Sequence, residues 1–561
     1  MNNNYNFPAS EELNRIIAKK SEQIGKTFNG PPYVAIQTIV RAIDILFTFH
    51  PEITNEDHFD MELIKFGWPQ LLKPFYFNLK IDEISPLPST TEKLRNWAIS
   101  NLIHSGKIAL CQQILSYEKA DLISIKRQTD KHFIFECLHS NTGIERFDRE
   151  SMDFLKHNII SRIIEDKKAA LSFDVDRIAK EFKKLIKNPF GDYISYQTTP
   201  DIDDYYNEQG HYLLLKMQGY DNFDPNDKFG GIEYHKYITI IELIIGVAIK
   251  HSDACLYLKG KKPNVQLENL ISYTQNKNNA INDYASYIGW DRHIVKQIFE
   301  CITLTKENFD YYLEYPAPPP PMFIEVSGSL LIRSIAGCLG NPFALLNREL
   351  KRKFIKDFDK AVNNREDRFR KELFNFFSKE SIIKIDREIK ISFDDVKTDI
   401  DAIVYNKETN TLGLFQLKWQ DPFSHSIKER FSRINNLFPK ANEWLTKIKR
   451  WLSTFDDRTI LNALQIENVL GEKRTIERVY LFVLARNQIN FTGIEMDETA
   501  AWGSWYQLIE AYSTIHTTLN DPIEDMFVRL KASSPQERIK REKAPDLGDF
   551  CIDFGDLKLT N

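Results

Sequence analysis

The feature that most constrains the fold is a change of hydrophobic periodicity along the 561-residue chain. Through the first three hundred residues the apolar positions recur mainly at helical spacing, which predicts a mainly helical region. The exception is 120–147, where β-branched and aromatic runs broken by polar turns predict a small hairpin. After about residue 380 the pattern changes to strands, and the order becomes helix, three strands, helix, strand. We therefore expect a helical region followed by an α/β domain.

A proline tract, "EYPAPPPPMF" at 314–323, separates the two patterns. Proline runs cannot continue a helix and prefer an extended conformation, so the tract predicts either a stiff spacer or a strap laid across a surface. We place a boundary there. The predicted organisation is a mainly helical N-terminal recognition or regulatory region of one or two subdomains (1–315), a Pro-rich linker (316–322), an α/β domain with leading helices (323–525) and a charged, then acidic tail (526–561).

Composition limits the compartment and the partners. A formal net charge of −5 excludes a globally basic nucleic-acid binder, so any phosphate contact must come from a local patch. The six cysteines stand singly, which is typical of buried thiols in a reducing compartment. The N-terminus lacks a signal-peptide pattern, and the most apolar stretch, 237–249, is too short to span a bilayer. We predict a cytoplasmic protein with no membrane partner.

Polar residues interrupt two otherwise apolar strands in "TDIDAIVYNKETNTLGLFQLKW" at 398–419. Strand periodicity puts Asp399 and Asp401 on one face of the first strand, and Gln416 and Lys418 on one face of the second. The short loop predicts an antiparallel pair, which brings Asp401 near Gln416 and Lys418. Because the second strand is apolar on both faces, these polar groups must be satisfied by one another or by a ligand.

An aspartate, a nearby side-chain oxygen and a lysine are the groups needed to hydrolyse a phosphodiester. The oxygens suit Mg²⁺, or Mn²⁺, which retains waters that can become the nucleophile. The lysine can neutralise charge that develops on the phosphate. The residues therefore predict a metal-dependent hydrolytic site at Asp401, Gln416 and Lys418.

Within its helix and strand order, "DIDAIVYN…LGLFQLKW" resembles the PD-(D/E)XK nuclease superfamily, over roughly 364–486. The resemblance implies a restriction-endonuclease-like domain with a mixed central sheet flanked by helices. The motif aspartate falls on Asp401 and the motif lysine on Lys418, while Gln416 stands where the family usually has an acidic residue. A Q-x-K variant implies a weaker metal ligand than a carboxylate, which Asp399 or the preceding helix would have to compensate.

In the preceding helix, Glu366 is three residues before Phe369 and seven before Leu373, which predicts that it lies on the apolar face. Family members often supply a metal-binding glutamate from this helix. The resemblance therefore implies metal ligation by Asp401, Gln416, Glu366 and Asp399.

The helix after the strands, from about residue 426 to 452, is basic although the whole protein is acidic. A basic surface beside a phosphodiester site is what binding of a nucleic-acid backbone requires. We expect Lys428, Arg430, Arg433 and Lys440 to contact nucleic acid.

We interpret the chain as a metal-dependent endonuclease that acts on DNA in preference to RNA, a role that by analogy suits bacterial defence against foreign or viral DNA. The N-terminal region would select the target, a second copy or a partner protein. The first alternative is a catalytically silent nuclease-like fold that acts as a nucleic-acid-binding or scaffold module, which Gln416 favours. The second is a toxin or effector whose cleavage is triggered by a helical sensor. Taken singly, the same residues are also typical of turn caps, strand-end lysines and solvated helix faces.

Overall fold

The computed structural model describes residues 8–49, 55–80, 88–139, 143–170, 173–217, 223–421, 426–467, 475–513, 521–535 and 550–561. Over these ranges the chain is mixed α/β, with helices prevailing in the N-terminal half and a mixed sheet in the C-terminal half.

The N-terminal half consists of helices that enclose small sheets. Its helices are α1 (Ala9–Ser21), α2 (Pro32–Phe49), α3 (Asn55–Asn78), α4 (Glu92–Glu118), α5 (Arg146–Leu155), α6 (Ser161–Ala170), α7 (Val175–Leu185), α8 (Pro200–Leu215), α9 (Tyr234–Lys261), α10 (Leu267–Ile271), α11 (Lys277–Ile288), α12 (Arg292–Cys301), α13 (Phe309–Leu313), α14 (Ile335–Leu339), α15 (Phe343–Lys353) and α16 (Ile355–Asn363), with a π-helical turn at Lys156–Ile160. Its strands are β1 (Ile123–Thr129), β2 (His132–Cys137), β3 (Ile186–Lys187), β4 (Ser195–Tyr196), β5 (Lys228–Phe229), β6 (Ile232–Glu233), β7 (Tyr273–Asn276), β8 (Thr303–Leu304), β9 (Phe323–Ser327) and β10 (Leu330–Arg333). The hairpin predicted within 120–147 is confirmed by the antiparallel pairing of β1 with β2.

Helix α2 is the one described helix long and apolar enough to cross a membrane, and 61% of that stretch is buried inside the molecule. Its buried residues include Arg41 and Asp44, and its apolar side chains pack with those of α3 and α4.

The proline tract does not separate two bodies. Strand β8 before it pairs in parallel with β9 after it, in a sheet of order β7-β10-β9-β8. The Trp68 indole donates to the carbonyl of Pro318 over 2.8 Å, and the Tyr312 hydroxyl donates to the carbonyl of Pro319 over 2.7 Å. Gly337 approaches so closely that a Cβ there would meet the Pro321 oxygen at 2.1 Å. The tract is therefore a strap inside the N-terminal half, one of the two forms predicted for it, and it does not act as a spacer at 316–322.

The C-terminal half is built on a five-stranded mixed sheet of order β11-β14-β15-β16-β17. Its strands are β11 (Ile382–Ile385), β14 (Ala402–Asn406), β15 (Thr411–Lys418), β16 (Arg478–Ala485) and β17 (Ala501–Ser504), and a separate hairpin joins β12 (Ile389–Phe393) to β13 (Val396–Ile400). The first three strands of the sheet pair antiparallel, whereas β15, β16 and β17 run in parallel. The structure has five strands, β11 to β15, where the sequence predicted three, because the β12–β13 hairpin separates β11 from β14 and leaves the sheet.

Helices cover both faces of this sheet, as the uninterrupted burial of β14 requires. The helices of this half are α17 (Arg365–Phe374), α18 (Ile427–Thr454), α19 (Asp457–Ala463), α20 (Trp505–Ser513) and α21 (Pro522–Ala532). On one face α18 and α19 pack against the side of the sheet that carries Ile403 and Leu414. On the other face α17, α20 and α21 pack against the side that carries Phe415 and Leu417.

The chain end returns to the N-terminal half. Strand β18 (Cys551–Asp553) pairs with β19 (Lys558–Thr560), and β19 runs parallel to β2. Ile552 and Leu559 are fully buried against apolar residues of α1 and α4. The acidic end of the predicted tail thus docks on the N-terminal half, whereas residues 526–532, the start of that tail, belong to α21.

Candidate active site

Local strand pairing brings the first two predicted residues together. Strands β14 and β15 pair with Ala402 opposite Phe415, so the preceding residue, Asp401, comes opposite Gln416. The Asp401 amide donates to the Phe415 carbonyl over 3.1 Å, which extends the ladder by one residue. Asp401 thus stands where the chain leaves the β12–β13 hairpin and enters the sheet.

The Asp401 carboxylate is buried, with 3% of the residue exposed. Its Oδ2 accepts hydrogen bonds from the Gln416 side-chain amide and from the Leu417 backbone N–H, the latter over 2.7 Å. Among the described residues, Oδ1 accepts none. Burial raises the pKa of Asp401 to about 7, against the opposing effect of the Lys418 ammonium.

Lys418, the last residue of β15, completes the group. Its Nζ lies 4.0 Å from Oδ2 of Asp401 and 3.8 Å from Oε1 of Glu366. The Arg486 amide donates to the Lys418 carbonyl over 2.9 Å, which fixes this strand end against the end of β16. The structure therefore brings Asp401, Gln416, Lys418 and Glu366 together at one end of the central sheet.

Glu366 reaches this position from the solvent side, not from a buried face. Its side chain is 48% exposed, in the first turn of α17. The buried line of that helix runs through Arg365, Phe369 and Leu373 at four-residue spacing, and Glu366 lies at its edge. The expectation of a buried Glu366 is wrong because it omitted Arg365, whose long side chain buries its own charge through an ion pair with Asp421 at 2.7 Å.

Asp399 lies on a different strand from the rest of the site. It belongs to β13, where it pairs with Lys390, and its carbonyl accepts from the Trp444 indole over 2.6 Å. Its charge is one of the influences that raise the pKa of Asp401. Asp399 is thus near the site, but the shared strand face expected for it with Asp401 is broken by the split between β13 and β14.

Sequence reasoning missed a buried arginine behind the motif. The Arg370 Nε donates to the Asp401 backbone carbonyl, and Nη1 donates to Asp367 over 3.1 Å. Arg370 is 7% exposed and follows the buried Phe369. Arg370 could have been found from the sequence because it lies among the apolar positions of α17, and a charged residue buried there needs a partner. Arg370 holds the backbone of the motif aspartate.

A second unforeseen group surrounds Trp419, the residue after Lys418. The guanidinium carbons of Arg368 and Arg486 lie 4.9 and 4.6 Å from the centre of the Trp419 ring. Arg486 also forms an ion pair with Glu372. Arg368 pairs with the same glutamate at 3.1 Å, so this stacked group joins α17 to the end of β16 next to Lys418.

The basic helix contributes fewer cations than its sequence indicated. Arg430 is 5% exposed, pairs with Glu145 at 2.8 Å and donates to the Thr492 carbonyl over 2.7 Å. It connects the two halves of the molecule, so its assignment as a nucleic-acid contact is wrong. Further along the helix, Lys447, Lys449 and Arg450 form ion pairs with Glu443, Asp497 and Asp394.

Three of the four predicted contacts remain accessible. Lys428 and Lys440 are exposed, and the Lys440 ammonium donates to Asn436 over 3.1 Å. Arg433 is half-buried and its Nε donates to the Asp421 carbonyl over 3.1 Å. The basic surface is therefore limited to the N-terminal half of α18.

The oxygens near Lys418 fit a hard cation in their chemistry. Oδ1 of Asp401, the half-exposed carboxylate of Glu366 and the amide oxygen of Gln416 are all ligands that Mg²⁺ accepts. Within the described ranges, no group of three or more His, Cys, Asp or Glu side chains is arranged to hold a metal ion. The polar groups nearest to Lys418 are the carboxylates of Asp401 and Glu366, with the Gln416 amide bonded to Asp401.

Comparison with known proteins identifies no relative of this chain. No protein-family model, no curated protein and no solved structure matches this chain. The nuclease resemblance therefore rests on the sequence residues of 364–486 alone.

Proposed function

We propose that the protein is a metal-dependent nuclease of the PD-(D/E)XK type, with Asp401, Gln416 and Lys418 as its catalytic residues. The observation that carries the proposal is the position of the Lys418 ammonium, 4.0 Å from Asp401 and 3.8 Å from Glu366 at the end of a central strand. The mixed sheet with helices on both faces supports the corresponding restriction-endonuclease-like fold.

Each residue has a distinct role in this proposal. Asp401, Glu366 and the Gln416 amide oxygen would hold Mg²⁺ or Mn²⁺, which when bound supplies charge neutralisation and an acidified water. Lys418 pairs with charge that builds up on the phosphate in the transition state. Leu417 N–H and Arg370 fix the side chain and the backbone of Asp401, so that its free oxygen keeps one direction.

The accessible cations of α18 support a nucleic-acid substrate. Lys428, Arg433 and Lys440 follow the loop after β15 and lie on a helix that packs on the same face of the sheet as the motif side chains. Such contacts bind the phosphate backbone and do not read sequence. We favour DNA over RNA by analogy with restriction enzymes, and a role in antiviral defence rests on the same analogy.

One observation favours the silent alternative, a nuclease-like fold that binds nucleic acid without cutting it. The Gln416 side chain presents its amide nitrogen to Asp401, so it acts as a donor to the carboxylate and not as a second acceptor beside it. A glutamine that donates in this way satisfies Asp401 without a metal.

The deciding experiment incubates the purified chain with supercoiled plasmid, linear DNA and RNA, each with Mg²⁺, Mn²⁺ or chelator. The nuclease proposal expects metal-dependent cleavage that chelator stops, with DNA cut faster than RNA. Binding of DNA in gel-shift assays without cleavage under any metal condition would instead establish the silent module.

A further inference from the structure

A cavity of about 310 Å³ lies in the N-terminal half, between helices α8, α9 and α11 and strands β7 and β10. None of the residues that line it belongs to the group around Lys418. Its size lies within the range of small-molecule sites in proteins, which is roughly 300–1,000 Å³. The charged residues that line it are Asp203, Lys250, Asp283 and Arg333.

Arg333 is the most buried of these charged residues, with 2% of the residue exposed. Its Nη1 donates to the Tyr273 hydroxyl over 2.7 Å, and its Nη2 donates to the Tyr284 hydroxyl over 3.1 Å. Its Nε is buried with no hydrogen-bond partner among the described residues. None of the Asp and Glu residues that the structure describes forms an ion pair with the Arg333 guanidinium.

The two tyrosines cannot supply the missing negative charge. Burial raises the pKa of Tyr284 to about 12 and raises that of Tyr273 above its ordinary value. Both are therefore neutral at physiological pH. The rings of Tyr273 and Phe323, centred 5.5 and 5.3 Å from the guanidinium carbon, offset part of the desolvation of Arg333. A buried cation without a counter-ion still costs free energy, which a bound anion would recover.

The polar groups near Arg333 are arranged as donors. A tyrosine hydroxyl that accepts from the guanidinium keeps its own O–H to donate onward. Gln275, on β7, has a buried side-chain nitrogen with no partner among the described residues. Arg333, Tyr273, Tyr284 and Gln275 all line the cavity and carry N–H or O–H groups, which are the groups that an oxyanion accepts.

The remaining charged lining residues do not neutralise Arg333. Lys250 and Asp203 form an ion pair with each other, and Asp203 also accepts from the Thr198 hydroxyl over 2.8 Å. Asp283 is exposed at the rim. The other walls are formed by Leu243, Val247, Ala280 and Tyr287, and by Asn207, whose amide donates to the Tyr287 hydroxyl over 2.7 Å. They suit an apolar or aromatic body attached to the anionic group.

We propose that this cavity binds a small molecule whose oxyanion head, a phosphate or a carboxylate, pairs with Arg333 and whose apolar or aromatic body contacts the outer walls. The site stands apart from the proposed nuclease centre, so it holds whether or not the chain cuts nucleic acid.

The test measures binding to the full chain by calorimetry and thermal shift at constant ionic strength. The probes are AMP with adenosine as its neutral match, benzoate with benzamide as its neutral match, and inorganic phosphate alone. We expect AMP or benzoate to bind and raise the melting temperature while its neutral match does not. The pair that responds identifies phosphate or carboxylate as the preferred head. No response to any of the three anions beyond that to chloride would overturn the proposal.

Two variants test whether the anion binds in this cavity. Gln275→Leu removes one donor and leaves the arginine–tyrosine network intact, and it should weaken anion binding roughly 10- to 100-fold, the effect of one hydrogen bond to a charged group. Arg333→Met should abolish binding. In the control variant Gln297→Leu, the lost amide donates to Tyr237 and Phe229 outside the cavity, so anion binding should stay unchanged. Equal anion affinity in wild type and Gln275→Leu would place the ligand elsewhere and refute this site.

Discussion

Two buried carboxylates have the same raised pKa but differ in how many of their oxygens accept hydrogen bonds. Burial raises the pKa of both Asp148 and Asp401 to about 7. Asp148 accepts at Oδ2 from the backbone of Ile489 and Asn490, each over 2.9 Å, and at Oδ1 from the Asn490 side chain over 2.7 Å. Both of its oxygens are satisfied, and the bonds tie α5 to the segment after β16.

Asp401 is satisfied on one side only. Its hydrogen bonds from described residues reach Oδ2, while Lys418 and Glu366 approach at ion-pair distance. The difference shows that a perturbed pKa does not by itself mark a functional group. A carboxylate with all acceptors filled is a structural connection, whereas one with an unfilled oxygen beside a cation can bind a ligand.

Substitution of Lys418 should have the strongest effect of all, and it should affect cleavage without affecting folding. Lys418→Ala should lower the cleavage rate about 100- to 1,000-fold or more, because the ammonium acts on charge present in the transition state. Its melting temperature and DNA affinity should stay close to wild type, as measured by thermal shift and gel shift. Lys384→Ala, on edge strand β11 of the same sheet, is the control and should cut normally. Parallel losses of binding and cutting in Lys418→Ala would instead indicate a structural lysine.

The next effect tests the structural role of Asp148. Asp148→Ala leaves buried donors of the 489–490 segment without acceptors, so it should lower the free energy of unfolding by about 3–5 kcal/mol in urea denaturation. Asp153→Ala, exposed on the same helix, should be neutral. Asp401→Ala should cost less stability than Asp148→Ala while removing cleavage. If the two alanine substitutions lower the free energy of unfolding equally, the two aspartates do not differ in their structural role.

The raised pKa of Asp401 predicts a pH dependence of activity. Because the proposed chemistry needs the ionised carboxylate, and the metal ion competes with the proton for it, the cleavage rate at subsaturating metal should rise with pH up to about pH 7 and then level off. The measurement is the rate of plasmid cleavage in buffers from acidic to mildly alkaline pH. A rate that falls as the pH rises through 7 would exclude Asp401 as the group that must ionise.

The same pKa has the opposite consequence for stability in the presence of chelator. A carboxyl whose pKa is higher in the folded than in the unfolded chain binds its proton more tightly when folded, so its contribution favours folding at low pH. That contribution is lost as the pH rises from about 4, the ordinary value, to about 7. The free energy of unfolding of wild type relative to Asp401→Asn should therefore decrease over this interval. A difference that stays constant would show that Asp401 does not titrate there.

The smallest effect distinguishes the nuclease from its silent alternative. Gln416→Glu removes the amide donor to Asp401 and adds a like charge, so in chelator the stability should fall by about 1 kcal/mol. If Gln416 is a metal ligand, Mn²⁺ should raise the melting temperature of this variant more than that of wild type, and cleavage should persist.

Gln420→Glu is the control for this substitution. Its amide donates to the Arg433 carbonyl, so the variant should lose stability without gaining a response to Mn²⁺. An inactive wild type whose melting temperature ignores metal would refute the nuclease proposal.

The local geometry of the motif could be predicted from its residues alone. A short loop and the two-residue period of strands bring Asp401 opposite Gln416 and place Lys418 on the same face, and none of this depends on distant parts of the chain. For the same reason the β1–β2 hairpin could be predicted.

Which charged side chains are accessible depends instead on contacts between distant segments of the fold. Arg430 is removed from the basic surface by Glu145, 285 positions away in the sequence, and Glu366 lies at the edge of the buried stripe of α17 because Arg365 occupies it. The proline strap, the return of β19 to β2 and the burial of Arg333 beside Tyr273 and Tyr284 likewise depend on contacts between segments far apart in the chain. Periodicity reports which side of an element is apolar, whereas burial of a charge depends on what packs against it.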